Sequence, residues 1–267
     1  MAERNKIFFI SDAHLGLYPS HRSAEREKML VRWLDSIKEE ADELYLLGDI
    51  FDFWHEYRKV VPRGFTRFLG KLAEMSDNGT KIHFFTGNHD LWVYDYLPAE
   101  IGLTLYHEPV IRNLEGFRFF IGHGDGMGKG DTGYKLMKTI FTNRILQWLF
   151  ARIHPNAALA LGHRWSRSSR FAKGIIAEPY RGDEREWQIA FARETIKSRP
   201  FDYFVFGHRH LAFDVCIGEK TRVINLGDWI TNFTYAVWQN KTLELHSILP
   251  EKDKEILRKT IPILLSS

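Results

Sequence analysis

Short apolar runs alternate with longer amphipathic stretches along most of the chain. The runs at 6–10 and 43–47 are typical of buried strands, and residues 24–40 between them carry apolar side chains at helical spacing. A second helix is predicted over 66–79, where Asn78-Gly79 would stop it. This alternation predicts an α/β layered fold. Further strands are predicted at 81–85, 117–122, 202–207 and 221–227, followed by a hairpin that turns at Gln239-Asn240.

Residues 131–178 interrupt this alternation and differ from the rest of the chain in charge. From Thr132 to Ala177 there is no Asp or Glu, and apolar, helix-like stretches with aromatic residues separate the basic ones. We interpret the segment as a helical lid inserted into a core formed by 1–130 and 179–267. Its composition favours binding of an anionic amphiphile, an anionic lipid surface or nucleic acid over a merely solvated face. The eight basic residues are Lys135, Lys138, Arg144, Arg152, Arg164, Arg167, Arg170 and Lys173.

The bulk composition is that of an ordinary globular protein. Its 267 residues allow one large domain or two small ones, and a net charge of +3 is too small to indicate a partner. The single cysteine, Cys216, excludes an intramolecular disulfide and agrees with a reducing compartment. The first apolar segment is too short for a signal peptide, and no stretch approaches the roughly 18 apolar residues of a membrane span. We therefore expect a cytoplasmic protein that could still contact a membrane surface.

Polar clusters follow five of the predicted strands, each beside a glycine-containing turn. In open α/β sheets such turns lie at the carboxyl ends of the strands, where binding sites assemble. We therefore expect the five clusters to converge. Each alone has an ordinary explanation as a cap or a turn, but their joint occurrence in this order is difficult to assign to chance. The clusters are Asp12 with His14, Asp49 with Asp52, Asn88-His89-Asp90, His123 with Asp125, and His208 with His210.

Seven of these side chains form a ligand set suited to two divalent metal ions. Nitrogen and oxygen ligands without thiolate suit Mn, Fe or Zn. Two such ions polarise a phosphoryl oxygen and lower the pKa of a shared water. His89 could then protonate a leaving oxygen or stabilise negative charge near it. We assign Asp12, His14 and His210 to one ion, Asn88, His123 and His208 to the other, and Asp49 to both.

The order of these motifs resembles that of the calcineurin-like metallophosphoesterases. The series Asp-x-His, Gly-Asp-x-x-Asp, Gly-Asn-His-Asp, Gly-His and Gly-His-x-His covers residues 7 to about 230. The resemblance implies a four-layered α/β/β/α sandwich with a dinuclear metal centre. It also implies hydrolysis of a phosphate ester or anhydride by a metal-activated water, but it does not identify the substrate.

Three further stretches are similar to one branch of that family, the UDP-2,3-diacylglucosamine hydrolases. These stretches are "GDIFDFWHE", "HGDGMGKGDTGYKLMK" and "NLGDW". Members of this branch are peripheral cytoplasmic enzymes of lipid A biosynthesis and are usually Mn-dependent. They release UMP and 2,3-diacylglucosamine 1-phosphate from UDP-2,3-diacylglucosamine. The chain departs from the better-known members at His89, where they have Arg.

The same resemblance implies a set of substrate-binding residues at the lid. An acylated sugar nucleotide needs an apolar slot for its chains and cationic groups for its phosphates, and Arg often pairs with phosphate bidentately. The expected partners are therefore a UDP-linked acylated sugar lipid and the inner membrane surface, with no nucleic acid. The predicted substrate-binding residues are Asp131, Tyr134, Arg164, Ser166, Arg167, Arg170 and Lys173.

Two other functions are compatible with the motifs. The first keeps the dinuclear chemistry but applies it to another phosphodiester or nucleotide substrate, which His89 in place of Arg leaves open. The second is a non-catalytic scaffold of the same fold, from which metal ligands would have been lost. All seven predicted ligands and His89 are present, which argues against the scaffold.

Overall fold

The computed structural model describes residues 4–127, 132–173, 180 and 182–250, with the side chains of 132–136 and 167–173 outside the described part. Two mixed sheets form its centre. The strands of the first are β1 (Lys6–Ile10), β2 (Ala41–Leu47), β3 (Lys81–Phe85), β4 (Thr104–Tyr106), β10 (Thr234–Gln239) and β11 (Thr242–Ser247). The strands of the second are β5 (Val110–Leu114), β6 (Phe117–Ile121), β7 (Tyr203–Phe206), β8 (Ala212–Ile217) and β9 (Thr221–Leu226).

The first sheet has the order β11-β10-β1-β2-β3-β4 and the second the order β5-β6-β7-β9-β8. Strands β1 to β4 run parallel, as do β6, β7 and β9. Parallel neighbours bring their carboxyl ends to one edge of each sheet. The helices are α1 (Ser20–Ile37), α2 (Thr66–Asp77), α3 (Tyr96–Ile101), α4 (Thr132–Thr142), α5 (Arg144–Phe150), α6 (Pro155–Lys173) and α7 (Trp187–Ser198).

Side chains along each buried strand point alternately to the two faces of the sheet, and this alternation produces the layers. In β1, Phe8 and Ile10 pack with α1 and α2, whereas Ile7 and Phe9 face the second sheet. A separate cluster joins α7 to the outer face of the second sheet, through residues such as Ile189. The order of layers is therefore helix, sheet, sheet, helix, which confirms the predicted four-layered α/β/β/α sandwich.

Three strands, β4, β5 and β8, and two helices, α3 and α7, were not predicted from the sequence. All three strands lie at the edges of their sheets. Strands β5 and β8 expose alternate residues, so that neither forms a continuous apolar run, and β4 has only three residues. The predicted final hairpin is present, but its turn lies one residue later, at Asn240 and Lys241, which have φ of 52° and 58°. Two left-handed residues form a turn whose twist matches that of the strands.

Helices α4, α5 and α6 lie between β6 and α7, within the segment predicted as the lid. They pack on the loops that follow β2 and β3. Trp92 Nε1 donates a hydrogen bond to the Phe141 carbonyl at 2.8 Å, and the Trp92 and Phe150 rings are 4.6 Å apart. No helix in the described ranges is both long and apolar enough to cross a bilayer. The division into core and lid stays a prediction.

Substitution of Trp238 tests the contact between the two sheets. Its ring lies 5.0 Å from that of Phe119 and 5.4 Å from that of Tyr203, and its Nε1 donates to Glu115 at 2.8 Å. We expect Trp238→Ala to lower the free energy of unfolding by about 3–5 kcal/mol, because a large cavity would open between the sheets. Urea denaturation measures the change. Thr242→Ala, an exposed substitution on β11, is the control, and an equal effect of both would contradict the assigned packing.

Candidate active site

The predicted ligands lie in loops that follow β1, β2, β3, β6 and β7, and five of them have left-handed backbone. The φ values are 53° for Asp12, 43° for His14, 52° for Asp49, 67° for His208 and 52° for His210. Such conformations are costly outside glycine and occur at functional sites held by surrounding structure. Backbone hydrogen bonds hold the first two loops together, from Asp12 N to Gly48 O at 3.0 Å and from His14 N to Asp49 O at 2.9 Å.

One group of side chains contains Asp12, His14 and His210. The two imidazoles are stacked, with their Nε2 atoms 3.2 Å apart, and Asp12 Oδ1 lies 3.3 Å from His210 Nε2. Ligand atoms of all three residues lie within 4.8 Å of one another. Asp228 adds a carboxylate behind this group, because its Oδ2 is 3.3 Å from His210 Nδ1. The side chains of Asp12, His14 and His210 can surround one cation.

A second group contains Asp49, His123 and His208. His123 Nε2 lies 3.2 Å from His208 Nδ1 and 3.4 Å from Asp49 Oδ2. His123 Nδ1 lies 2.7 Å from the Leu47 carbonyl and so donates its proton there. Nε2 is then the ring nitrogen that faces the cluster. This group can surround a second cation.

Asp49 lies between the two groups. Its Oδ2 is 3.8 Å from His14 Nε2 as well as close to His123, and its Oδ1 accepts the His89 backbone N–H at 2.8 Å. Gly87 makes this position accessible, because a Cβ there would lie 2.2 Å from Asp49 Oδ1. The geometry therefore allows one carboxylate to contact both cations.

Two buried oxygen atoms indicate that the cluster is suited to bind metal ions. Within the described residues, Asp12 Oδ1 and Asn88 Oδ1 accept no hydrogen bond. An unsatisfied buried oxygen is costly, and coordination to a cation would satisfy it. Asn88 follows the end of β3, beside His89, as the sequence analysis placed it. The donor set contains only carboxylate, amide and imidazole groups, which suits Mn, Fe or Zn.

The electrostatics of the cluster also favour positive charge. Burial would raise the pKa of Asp49, but His123 and His89 outweigh it and hold that pKa well below its usual range. Burial would lower the pKa of His123, but Asp49 raises it to about 10. Burial raises the pKa of Asp12, against the opposing effect of His210. The carboxylates thus create a field that attracts a proton onto His123 and would equally attract a metal ion.

His89 lies next to both groups. Its Nδ1 donates to the Asp52 carbonyl at 2.9 Å, so Nε2 is the atom that remains to accept or release a proton. Its ring is 4.9 Å from that of His14 and 6.0 Å from that of Trp165 on α6. Burial lowers the pKa of His89, although the charge of Asp49 opposes the shift.

Two supporting carboxylates were not predicted as site residues, although both lie in quoted motifs. Asp90 accepts backbone N–H groups from the turns after β2 and β3, including Gly87 at 2.6 Å and Ile50 at 2.8 Å. Burial raises its pKa to about 7. Burial would raise the pKa of Asp228, but its hydrogen bond with His210 lowers it. The last Asp of Gly-Asn-His-Asp and the Asp of Asn-Leu-Gly-Asp-Trp were the available signals.

The predicted substrate-binding residues are described to different extents. Ser166 is buried, and its hydroxyl lies 3.0 Å from both carboxylate oxygens of Asp52, whereas Arg164 on the same helix is exposed. Asp131 lies outside the described residues. For Tyr134 on α4 and for Arg167, Arg170 and Lys173 on α6, the helices are described but the side chains lie outside the described part. Their roles stay predictions.

An apolar cavity opens beside His89 and Asn88. Its volume is about 200 Å³, smaller than the roughly 300–1,000 Å³ of pockets that enclose a whole drug-sized ligand. It lies between the lid helices and the loops after β2 and β3. Side chains from both sides line it, chiefly Phe53, Trp92, Phe141, Phe150, Leu161 and Trp165.

Comparison with known proteins agrees with this site. The sequence profile of the calcineurin-like phosphoesterases matches residues 5–212. A UDP-2,3-diacylglucosamine hydrolase of Porphyromonas gingivalis (strain ATCC BAA-308 / W83) is 43% identical over 257 residues, which are 92% of this chain and 98% of that protein. A protein of the same name from Neisseria meningitidis serogroup B (strain ATCC BAA-335 / MC58) is 28% identical over 227 residues, 85% of this chain and 90% of its own. The chain therefore belongs to the calcineurin-like phosphoesterase family.

Proposed function

We propose that this chain hydrolyses the pyrophosphate bond of UDP-2,3-diacylglucosamine, releasing UMP and 2,3-diacylglucosamine 1-phosphate in lipid A biosynthesis. The family supports a metal-dependent phosphoesterase, and the named relatives support this substrate through their full-length similarity. The apolar cavity beside His89 is the structural observation that most directly supports an acylated substrate.

The cavity suits acyl chains because its lining is aromatic and aliphatic. Burial of a CH₂ group contributes about 0.8 kcal/mol, so even part of one chain would hold the substrate firmly. Phe53 and Trp92 from the core and Phe150 and Trp165 from the lid all line the cavity, and the Trp92 and Phe150 rings pack against each other. An acyl chain in this cavity would bring the sugar that carries it, and with it the sugar-linked phosphate, toward Asn88 and His89, which line the same cavity.

The chain's own residues supply positions for two divalent ions, which the family implies. Asp12, His14 and His210 would hold one ion, Asn88, His123 and His208 the other, and Asp49 both; we propose Mn as the native metal. When bound, the ions neutralise phosphate charge and acidify water at neutral pH. His89 would hold a proton on Nε2 close to the leaving oxygen, while the Asp52 carbonyl fixes its ring. Arg164, Arg167, Arg170 and Lys173 on α6 and Asp131 and Tyr134 near α4 are the proposed contacts of the substrate's polar parts.

We also propose that the protein acts in the cytoplasm, bound peripherally to the membrane through α5. This helix points Phe150 at the core, 5.0 Å from the His55 ring. On its other side Ile145, Trp148 and Leu149 are 69%, 56% and 51% exposed. Arg152 lies 4.4 Å from the Trp148 ring. Exposed aromatic and aliphatic side chains beside basic ones are typical of helices that lie in an anionic lipid interface.

His89 in place of Arg supports one alternative, a different phosphodiester or nucleotide substrate. A histidine can move a proton, whereas a guanidinium stays charged and binds phosphate as a clamp. Incubation of the Mn²⁺-loaded protein with UDP-2,3-diacylglucosamine and with a soluble aryl phosphodiester distinguishes the two functions by product analysis. Release of UMP and lipid monophosphate far faster than aryl alcohol supports the proposal. Equal rates, or cleavage of only the soluble ester, would favour the alternative.

Asp49→Ala tests the shared ligand. We expect hydrolysis to fall at least 1,000-fold, roughly the loss of about 4 kcal/mol of transition-state stabilisation, because removing the carboxylate would weaken binding of both ions. Metal content after gel filtration should fall below that of the wild-type protein. Asp77→Ala, an exposed substitution at the end of α2, is the control and should retain both. Two bound ions with near-normal turnover in Asp49→Ala would refute the bridging role.

His89→Ala tests the proton-transfer step. We expect kcat to fall roughly 100-fold, the usual size of a general acid contribution, while metal content stays unchanged. Because the acid must be protonated and burial lowers its pKa, activity of the wild-type protein should decline as pH rises through that pKa. His89→Arg keeps a positive charge at all these pH values and should lack that decline. A decline that persists in His89→Arg would assign the titration to another group.

Ile145→Ser with Trp148→Ser tests the proposed membrane surface. Sedimentation with vesicles containing anionic lipid should recover at least tenfold less of this variant than of the wild-type protein. The expected loss follows from removal of apolar side chains that would otherwise lie in the interface. Ile111→Ser, an exposed apolar position on β5, is the matched control. Equal recovery of all three proteins would show that α5 is not the docking surface.

A further inference from the structure

Helix α6 of the lid contacts the loop after β2 at three neighbouring points. Gly162 lies against Phe53 so closely that a Cβ would come within 2.4 Å of the ring. His163 Nδ1 is 3.6 Å from Asp52 Oδ2, and the Ser166 hydroxyl lies 3.0 Å from both oxygens of Asp52. The lid is therefore joined to the core by a buried polar contact as well as by apolar packing.

Asp52 also faces the metal cluster. Its Oδ1 lies 3.7 Å from His14 Nδ1, while His14 Nε2 points to Asp12 and Asp49. In metal sites a carboxylate behind a ligating histidine fixes the ring orientation and increases its basicity. A shift of about 1 Å would bring Asp52 to hydrogen-bond distance from His14. Asp52 is thus placed to act on His14 from one side and on α6 from the other.

We infer that Ser166 is a positioning residue that couples the seating of α6 to the affinity of the cation held by Asp12, His14 and His210. The Ser166 hydroxyl orients the Asp52 carboxylate, and Asp52 orients His14. Seating of the helix therefore strengthens cation binding. This inference rests on the proposed function in one respect only, the assignment of His14 as a metal ligand.

The coupling is reciprocal. If a seated helix increases cation affinity, then a bound cation must stabilise the seated helix by the same free energy. The acyl cavity has walls on α6 and on the loop after β2, so a substrate that draws α6 onto the core would strengthen the nearby metal site. The contact between Ser166 and Asp52 would then join substrate recognition to assembly of the metal centre.

Titration calorimetry with Mn²⁺ on the metal-free full chain, without substrate, tests the inference. We expect Ser166→Ala to weaken one of two binding events by roughly tenfold, the lower end of effects for residues behind a ligand. Gly162→Ala should do the same, because its methyl group would push α6 off Phe53 without touching any proposed ligand. Asn156→Ala, an exposed substitution on α6, is the control and should bind like the wild-type protein.

Hydrogen exchange of the α6 backbone separates coupling from a purely structural role. In the wild-type protein Mn²⁺ should slow exchange in α6, whereas in Ser166→Ala this metal-dependent protection should be lost. A structural role alone would raise exchange in Ser166→Ala equally with and without Mn²⁺, which would overturn the inference.

The calorimetric outcomes also separate the inference from the proposed function. Two wild-type-like binding events in both Ser166→Ala and Gly162→Ala would overturn the coupling while the metal assignment stands. A wild-type protein that binds no Mn²⁺, Fe²⁺ or Zn²⁺ would overturn the metal assignment and the coupling with it. Failure to hydrolyse UDP-2,3-diacylglucosamine would count against the substrate alone, since neither measurement uses it.

Discussion

The site depends on one constraint, the close approach of several buried carboxylates and imidazoles around Asp49. Its Oδ2 lies 3.4 Å from His123 Nε2 and 3.8 Å from His14 Nε2, and all three side chains are buried. Carboxylates so near one another repel when ionised, and buried imidazoles lose hydration. The cluster therefore favours compensating positive charge, which the divalent cations that the family implies would supply.

Holding these groups together determines much of the surrounding backbone. Five of the predicted ligand residues have left-handed φ, and strain of this kind persists only when the surrounding structure holds it in place. Asp90 provides part of that support, because its carboxylate accepts hydrogen bonds from backbone N–H groups of two separate turns. The aromatic core between the sheets provides the rest by fixing the strands from which the loops emerge.

We propose that the lid adds substrate selection to this chemistry. Its inner side forms an apolar wall next to His89, and its outer side exposes Ile145 and Trp148. The same insertion therefore serves the proposed acyl pocket and the proposed membrane contact. Ser166 joins the lid to Asp52, a residue that also faces His14, so one chain of contacts would connect the proposed recognition to the proposed metal site.

The periodicity of the sequence determined a layered α/β fold, because it shows continuous apolar strands and amphipathic helices. The four-layered α/β/β/α order followed from the resemblance of its motifs to the family. The sequence also determined which residue types gather at the strand ends, since parallel strands carry Asp12 and Asp49 to one edge of the first sheet and His123 to an edge of the second. Edge strands such as β5 and β8 escaped prediction because their alternate exposure leaves no apolar run. Only the tertiary structure decided that Ser166 contacts Asp52 and that Asp228 lies behind His210. Each contact joins residues from different elements of the chain. A local sequence pattern carries no information about the distance between elements that only folding brings together.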